Sequence, residues 1–218
     1  MTAWSATVNR PLRDISGMRS GALPRAAFSV LLSLVLLAPI VLAGGTGGEK
    51  FSLETLMRAL ADVRGIDAAF REIREVGILN EPVILTGILR YRAPDYVKKQ
   101  VLLPRRESIE INAEELYIDT PETGQRRLRL DDYPAIAVLV ESFRATLAGD
   151  LDSLRRYYRT TLTGTFDNWR LRLRPIDEAM AEQVKAVAIS GRQARVLSIT
   201  TLETGGARSV MTITPTNS

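Results

Sequence analysis

The 218-residue chain contains no cysteine and no histidine. Without cysteine there is no disulfide, no thiol nucleophile and no thiolate metal ligand, so stability has to come from a packed core. Without histidine the commonest general base and the commonest transition-metal ligand are missing, and a Ser-His-Asp hydrolase is excluded. There is no Ser-x-x-Lys motif, and no pair of carboxylates stands out as an acid/base couple. The glycines of "GGTGG" (44–48) lack the lysine and the strand-to-helix context of a phosphate loop and read as linker. These absences point away from an enzyme and from any cofactor or metal.

Long apolar runs are scarce too, with one exception. Arg10, Arg13, Arg19 and Arg25 precede the uncharged stretch Ala26 to Ala43, "AAFSVLLSLVLLAPIVLA", which ends in Val41-Leu42-Ala43. A basic region, an apolar core and a small-residue end are the parts of a secretory signal. The run is also about as long as a membrane-spanning helix requires, but Pro39 and the Val-x-Ala ending favour cleavage. The reading is a signal peptide over 1–43, a flexible lead-in over 44–50, one domain over 51–218, and export to the periplasm. A cleaved chain has no cysteine for lipid attachment. A retained leader would instead tether the domain to a membrane.

The leader also explains the charge. The whole chain has 29 basic and 25 acidic residues, but four of those arginines and one aspartate lie in 1–43, so the remainder is nearly balanced. Nucleic-acid binding would need a concentrated basic surface, and the overall charge is no argument for it.

After the lead-in, Ser52 can cap a helix whose apolar positions Leu53, Leu56, Met57, Leu60 and Val63 recur at three and four, with Gly65 as its stop. The period then changes to two. Strands are expected over 69–75, 83–92, 96–103, 107–112 and 114–119, with "PETGQ" (121–125) as a hairpin and 125–130 as its return. Asp132 and Pro134 open a second helical region through Ile136, Leu139, Val140, Phe143 and Leu147 to Gly149, with a further turn or two over 150–156. Strands resume at 157–166, 169–173, 184–190, 194–203 and 208–214, with turns at "FDN", "SGR" and "TGG". Short links favour an antiparallel meander. The fold class is therefore mainly β with helices (α+β): an unclosed antiparallel β-barrel of about 10–11 strands, covered by the N-terminal amphipathic helix and a helical lid.

Strict alternation sorts side chains by face. In "NWRLRLRP" (168–175), Trp169, Leu171 and Leu173 lie on one side and Arg170, Arg172 and Arg174 on the other. Val83, Leu85, Leu89 and Tyr91 share a side, as do Val97, Val101 and Leu103, and then Ile109 with Ile111. These rows read either as ordinary core under the helices or as the lining of a ligand cavity, and in a lidded barrel the two readings merge. Lys99 falls in the apolar row of Val97 and Val101. Such a lysine usually lies at an edge or snorkels to the rim; the sharper reading is a headgroup contact. Arg126, Arg127, Arg129, Arg170, Arg172 and Arg174 read as a solvated outer face or as a docking surface for an acidic partner or anionic headgroups.

Phe70-Arg71-Glu72, "LTGILRYRAPDYVKK" (85–99), "LYID" (116–119), "TLAGDLDSLRRYY" (146–158) and "WRLRLRP" (169–175) together resemble the periplasmic outer-membrane lipoprotein carrier family, LolA. They are most similar to its LolA-related branch, found beside exporters and lipid or aryl-polyene biosynthesis genes. The resemblance spans about 51–214. It implies a non-enzymatic, monomeric carrier that takes a lipoprotein or a lipid- or polyene-type amphiphile from an inner-membrane exporter to an outer-membrane acceptor, without a cofactor. The alternative is a membrane-tethered lipoprotein-sensing or scaffold module on the same fold. Under the resemblance the hollow is lined by Phe70, Leu85, Leu89, Tyr91, Val97, Val101, Leu103, Ile109, Ile111, Leu128, Trp169, Leu171 and Leu173. The lid carries Ile136, Leu139, Val140, Phe143 and Leu147, and Arg92 and Lys99 are candidate lid or headgroup contacts. Two departures stand out. The family's lid-holding arginine directly before the proline ending the second strand is replaced by Ala93, so Arg92 inherits the role only if the strand end is shifted. Ala207 in "TGGARS" (204–209) occupies a place that in this branch often looks acidic.

Overall fold

The computed structural model describes residues 51–77, 81–132, 140 and 149–216. Ser52 caps the first helix, α1 (Leu53–Ala61), by accepting from the Thr55 amide at 3.2 Å. The helix ends at Asp62, and Gly65 is already the first residue of β1 rather than a helix stop. Eleven strands follow: β1 (Gly65–Glu75), β2 (Val83–Arg92), β3 (Tyr96–Leu103), β4 (Glu107–Asn112), β5 (Glu115–Thr120), β6 (Gly124–Arg129), β7 (Tyr158–Thr165), β8 (Asn168–Pro175), β9 (Val184–Arg192), β10 (Arg195–Glu203) and β11 (Arg208–Pro215). Two short helices, α2 (Leu151–Tyr157) and α3 (Glu178–Ala181), precede β7 and β9 and are capped by Asp150 and Asp177. Sequence periodicity missed α3, which has only four residues.

All strands belong to one antiparallel sheet in the order β6-β5-β4-β3-β2-β1-β11-β10-β9-β8-β7. β1 pairs with β11 in the middle, and β6 and β7 are the two edges, so the sheet curls without closing. Its inner face packs against Leu56, Met57, Leu60 and Val63 of the α1 region and against Leu130, Val140 and Leu154. The helical layer is tied together where Glu54 of α1 meets Arg155 of α2 at 2.6 Å. Gly149, with φ of 68°, lies so close to α1 that a Cβ there would stand 2.3 Å from the Met57 carbonyl. No helix among the described residues is long and apolar enough to cross a membrane.

Two local features override simple alternation. Between β2 and β3 the register shifts, with Gly87 opposite Val101 but Thr86 opposite Leu103. The extra residue, Leu102, turns Leu103 to the side of Thr86, and Leu103 is 62% exposed. Leu103 is therefore not part of the inner row expected from its spacing. Likewise "SGR" is no turn: Ser190, Gly191 and Arg192 complete β9, and the chain reverses at Gln193–Ala194.

Candidate functional site

Residues directly opposite each other in a ladder point to the same face, so the inner surface can be followed across strands. One row runs Ile66, Tyr91, Val97, Ile111, Leu116 and Leu128 from β1 to β6, and the next runs Ala68, Leu89, Lys99, Ile109, Ile118 and Arg126. In the other half, Glu72, Met211, Ile199, Ile189, Leu171 and Leu162 share a row, followed by Arg74, Ser209, Thr201, Val187, Leu173 and Thr160. Phe70, Leu85, Leu89, Tyr91, Val97, Val101, Ile109, Ile111, Trp169, Leu171 and Leu173 are all buried in one apolar cluster, with Leu128 packed against it. Each fully buried side chain of this kind contributes roughly 1.5–3 kcal/mol. Val140 is helical and buried in the same cluster. Ile136, Leu139, Phe143 and Leu147 lie outside the described residues.

Two glycines shape this surface. Phe70 is directly opposite Gly87, where a Cβ would stand 2.7 Å from the Phe70 ring and 1.9 Å from the Gln100 carbonyl. On the far side, Trp169 is opposite Gly191, where a Cβ would fall 2.2 Å from the indole. A glycine inside a strand often marks such a close approach. The indole is fixed further by donating from Nε1 to the Gln193 carbonyl at 2.7 Å.

The inner face carries charge as well. Lys99 and Glu72 are both 0% exposed, and Lys99 Nζ donates to Glu72 Oε2 at 2.6 Å. Arg74 donates to Glu72 Oε1 at 3.0 Å. The ammonium passes 5.1 Å from the Phe70 ring centroid, so the ring seated over Gly87 lies beside the contact between β3 and β1. Burial lowers Lys99 to about 8, opposed by Glu72, which leaves it cationic at neutral pH. Burial pushes the Glu72 carboxyl up, but Lys99 and Arg74 outweigh it and hold the group below its ordinary value. Nearby Glu107 is raised, chiefly by burial and secondarily by Glu122. Two further buried atoms, Tyr91 Oη and Thr201 Oγ1, have no hydrogen-bond partner, an arrangement that is rare and costly unless something else satisfies it.

Lys99 thus neither snorkels nor lies at the rim, as its sequence pattern suggested; it is neutralised in place. Its partner could have been suspected from the alternation Phe70-x-Glu72, which puts a carboxylate in an apolar row. Most of the expected lid lies outside the described residues; Arg92 itself points outward, and its guanidinium bonds Asp67 at 2.5 Å and the Ile66 carbonyl at 2.9 Å, clamping the end of β2 to β1. The strand end is not shifted, because Arg92 stays opposite Gly65 and alternation keeps it on the outer face.

On the outer face, β3–β6 form a groove of about 520 Å³ lined by Lys98, Gln100, Glu110, Tyr117, Asp119 and Arg127 among others. Two of its cations are matched: Lys98 meets Glu110 at 2.8 Å, and Arg127 pairs with Glu115 while lying 5.7 Å over the Tyr117 ring. Such a polar, paired surface is unsuited to an acyl chain, so the apolar inner face is the candidate site. No group of three or more carboxylates that could hold a metal ion occurs among the described residues.

Among solved structures the chain is similar to a LolA superfamily protein from Nitrosomonas europaea, at 10% identity and a TM-score of 0.41, covering 75% of this chain and 92% of that one. It is similar to a putative outer membrane lipoprotein-sorting protein domain from Vibrio parahaemolyticus, at 9% identity and a TM-score of 0.41, covering 74% and 88%. It is also similar to the Pseudomonas aeruginosa MucA/MucB complex, at 12% identity and a TM-score of 0.44, covering 74% and 55%. No curated protein matches. The family model described as outer membrane lipoprotein carrier protein LolA-like matches residues 47–213, and the chain belongs to that LolA-like family.

Proposed function

We propose that the chain is a non-enzymatic, monomeric periplasmic carrier. It shields the acyl chains of a lipoprotein or lipid-like amphiphile between an inner-membrane exporter and an outer-membrane acceptor, with 1–43 as a cleaved signal and 51–218 as the carrier domain. The observation that carries the reading is the largely apolar inner face, interrupted by the buried Lys99–Glu72–Arg74 group, of an eleven-stranded sheet that does not close. Withdrawing a chain of about fifteen carbons from water is worth roughly 10 kcal/mol, at about 0.8 kcal/mol per methylene. A dry face with a removable cover therefore suffices, and no bond has to be made or broken.

In this reading the structure is the closed form, in which the helical layer occupies the surface that cargo takes over. The apolar rows around Leu89, Ile109, Leu171 and Leu173 hold the chain. The polar groups toward one end of the same face, Lys99, Arg74 and Thr201, receive the ester or headgroup end. Native mass spectrometry of the protein isolated after export tests this directly. A retained mass matching one lipid or lipopeptide per chain is expected; protein that is always bare, even after expression with acylated proteins, would count against it.

A further inference from the structure

The two wings of the sheet treat their outer-face cations differently. On the outer face of β3–β6 Lys98 pairs with Glu110, Arg127 with Glu115 and Arg129 with Asp131, while Arg126, expected on that face, falls instead in the inner row opposite Ile118. On β7–β10 none of Arg159, Arg170, Arg172, Arg174, Arg192 and Arg195 has a side-chain hydrogen bond or ion pair among the described residues. Arg159 lies directly opposite Arg174, and Arg192 directly opposite Arg195. Like charges facing each other across a ladder are destabilising, so folding alone does not favour the arrangement. The outer-face positions between them are short: Thr161 is opposite Arg172, Thr163 and Ser190 flank Arg170, and Ala188 flanks Arg172. The guanidiniums of β7 and β8 stand exposed above that low floor. Two acids in the flanking turns are engaged elsewhere, Asp167 with Gln193 at 3.0 Å and Asp177 with the Met180 amide at 2.9 Å.

We propose that this face of β7–β10 is a docking surface for an anionic phospholipid bilayer, whose phosphates supply the counter-charges the fold withholds. The proposal goes beyond the carrier reading, because it concerns the outer face and not the lined interior. A repeated row of unpaired guanidiniums over Thr, Ser and Ala has no buried aromatic or large apolar anchor at its centre, as a protein partner would require, whereas a headgroup layer needs only repeated cations. Ile176 and Leu197, exposed 47% and 41%, lie two residues beyond Arg174 and Arg195 and give the patch an apolar margin suited to shallow insertion.

The test is co-sedimentation of the exported protein with vesicles of equal parts phosphatidylglycerol and phosphatidylcholine, against vesicles of phosphatidylcholine alone. The anionic vesicles should bind more protein, and the difference should vanish at about 1 M salt. Arg172→Ser with Arg174→Ser should lower the preference roughly 30-fold, since each arginine near an anionic surface contributes about a factor of five. Arg127→Ser with Arg129→Ser removes the same charge from the matched wing and should leave the preference within about threefold. Both doubles are exposed, and a thermal melt checks that each is folded. Equal loss in the two doubles would reduce the effect to net charge and overturn the proposal, as would equal binding to both vesicle types. Binding to an acidic protein without any preference for anionic vesicles would overturn it too.

Discussion

Replacing Lys99 by methionine should destabilise the fold by about 2–4 kcal/mol. The substitution keeps most of the apolar stem but leaves Glu72, which is fully buried, with Arg74 alone as its cationic partner. Removing one member of a buried ion pair generally costs about 3–5 kcal/mol, because the other charge is stranded in a low-dielectric site. The surviving Arg74 contact at 3.0 Å should retain part of that. For a domain of this size the melting temperature should fall by roughly 5–15 °C. Glu72→Met combined with Lys99→Met should recover only part of the loss, since an apolar pair of similar volume is often neutral but Arg74 loses its Glu72 contact. The assay is a double-mutant cycle by urea and thermal unfolding, with an expected coupling of about 2–3 kcal/mol. A Lys99→Met protein that melts with the wild type would refute the buried pair, and with it the placement of charge on the inner face.

Leu171→Glu and Arg172→Glu, adjacent in sequence but on opposite faces, should diverge: the first buries a carboxylate and costs at least ~3 kcal/mol, while the second changes stability by less than about 0.5 kcal/mol. Gly191→Ala should displace the Trp169 indole, break its bond to the Gln193 carbonyl and cost about 1–3 kcal/mol; unchanged Trp emission would show that the indole is not seated there. On pH, Glu72 has a folded-state value below the ordinary 4.5, so its contribution is present above that value and is lost as pH falls through the lower folded one. Urea midpoints should therefore fall more steeply in the wild type than in Glu72→Gln between about pH 5 and about pH 3, and parallel curves would contradict the shift.

Much of the sheet was legible because one face is dry. The limits of β2, β3 and β4 follow from strict alternation, which also separates Leu171 from Arg172 and puts Phe70 and Glu72 on one side. What alternation cannot carry is any local break in its own phase. The bulge at Leu102 reverses Leu103; Pro104 after it and Gly87 opposite Val101 mark the place, but neither says that one residue is extra. Gly191 resembled a turn residue because its reason for being glycine, the indole of Trp169, comes from another strand. The pairing of Lys99 with Glu72 joins residues 27 apart across an intervening strand, so only sheet order reveals it. At Arg92 alternation held: it lies on the outer face expected from its spacing, and the partner it finds there, Asp67, comes from another strand.

The most direct measurement is a titration with a fluorescent fatty-acid probe in a Trp4→Phe background, where Trp169 is the single remaining indole. The carrier account predicts saturation near one equivalent at micromolar or lower concentration, with energy transfer or an emission shift at Trp169. It also predicts loss of both signals in Leu171→Glu and their retention in Arg172→Glu. Folded, delipidated protein that shows no saturable binding, or binding that survives Leu171→Glu and vanishes in Arg172→Glu, would contradict it.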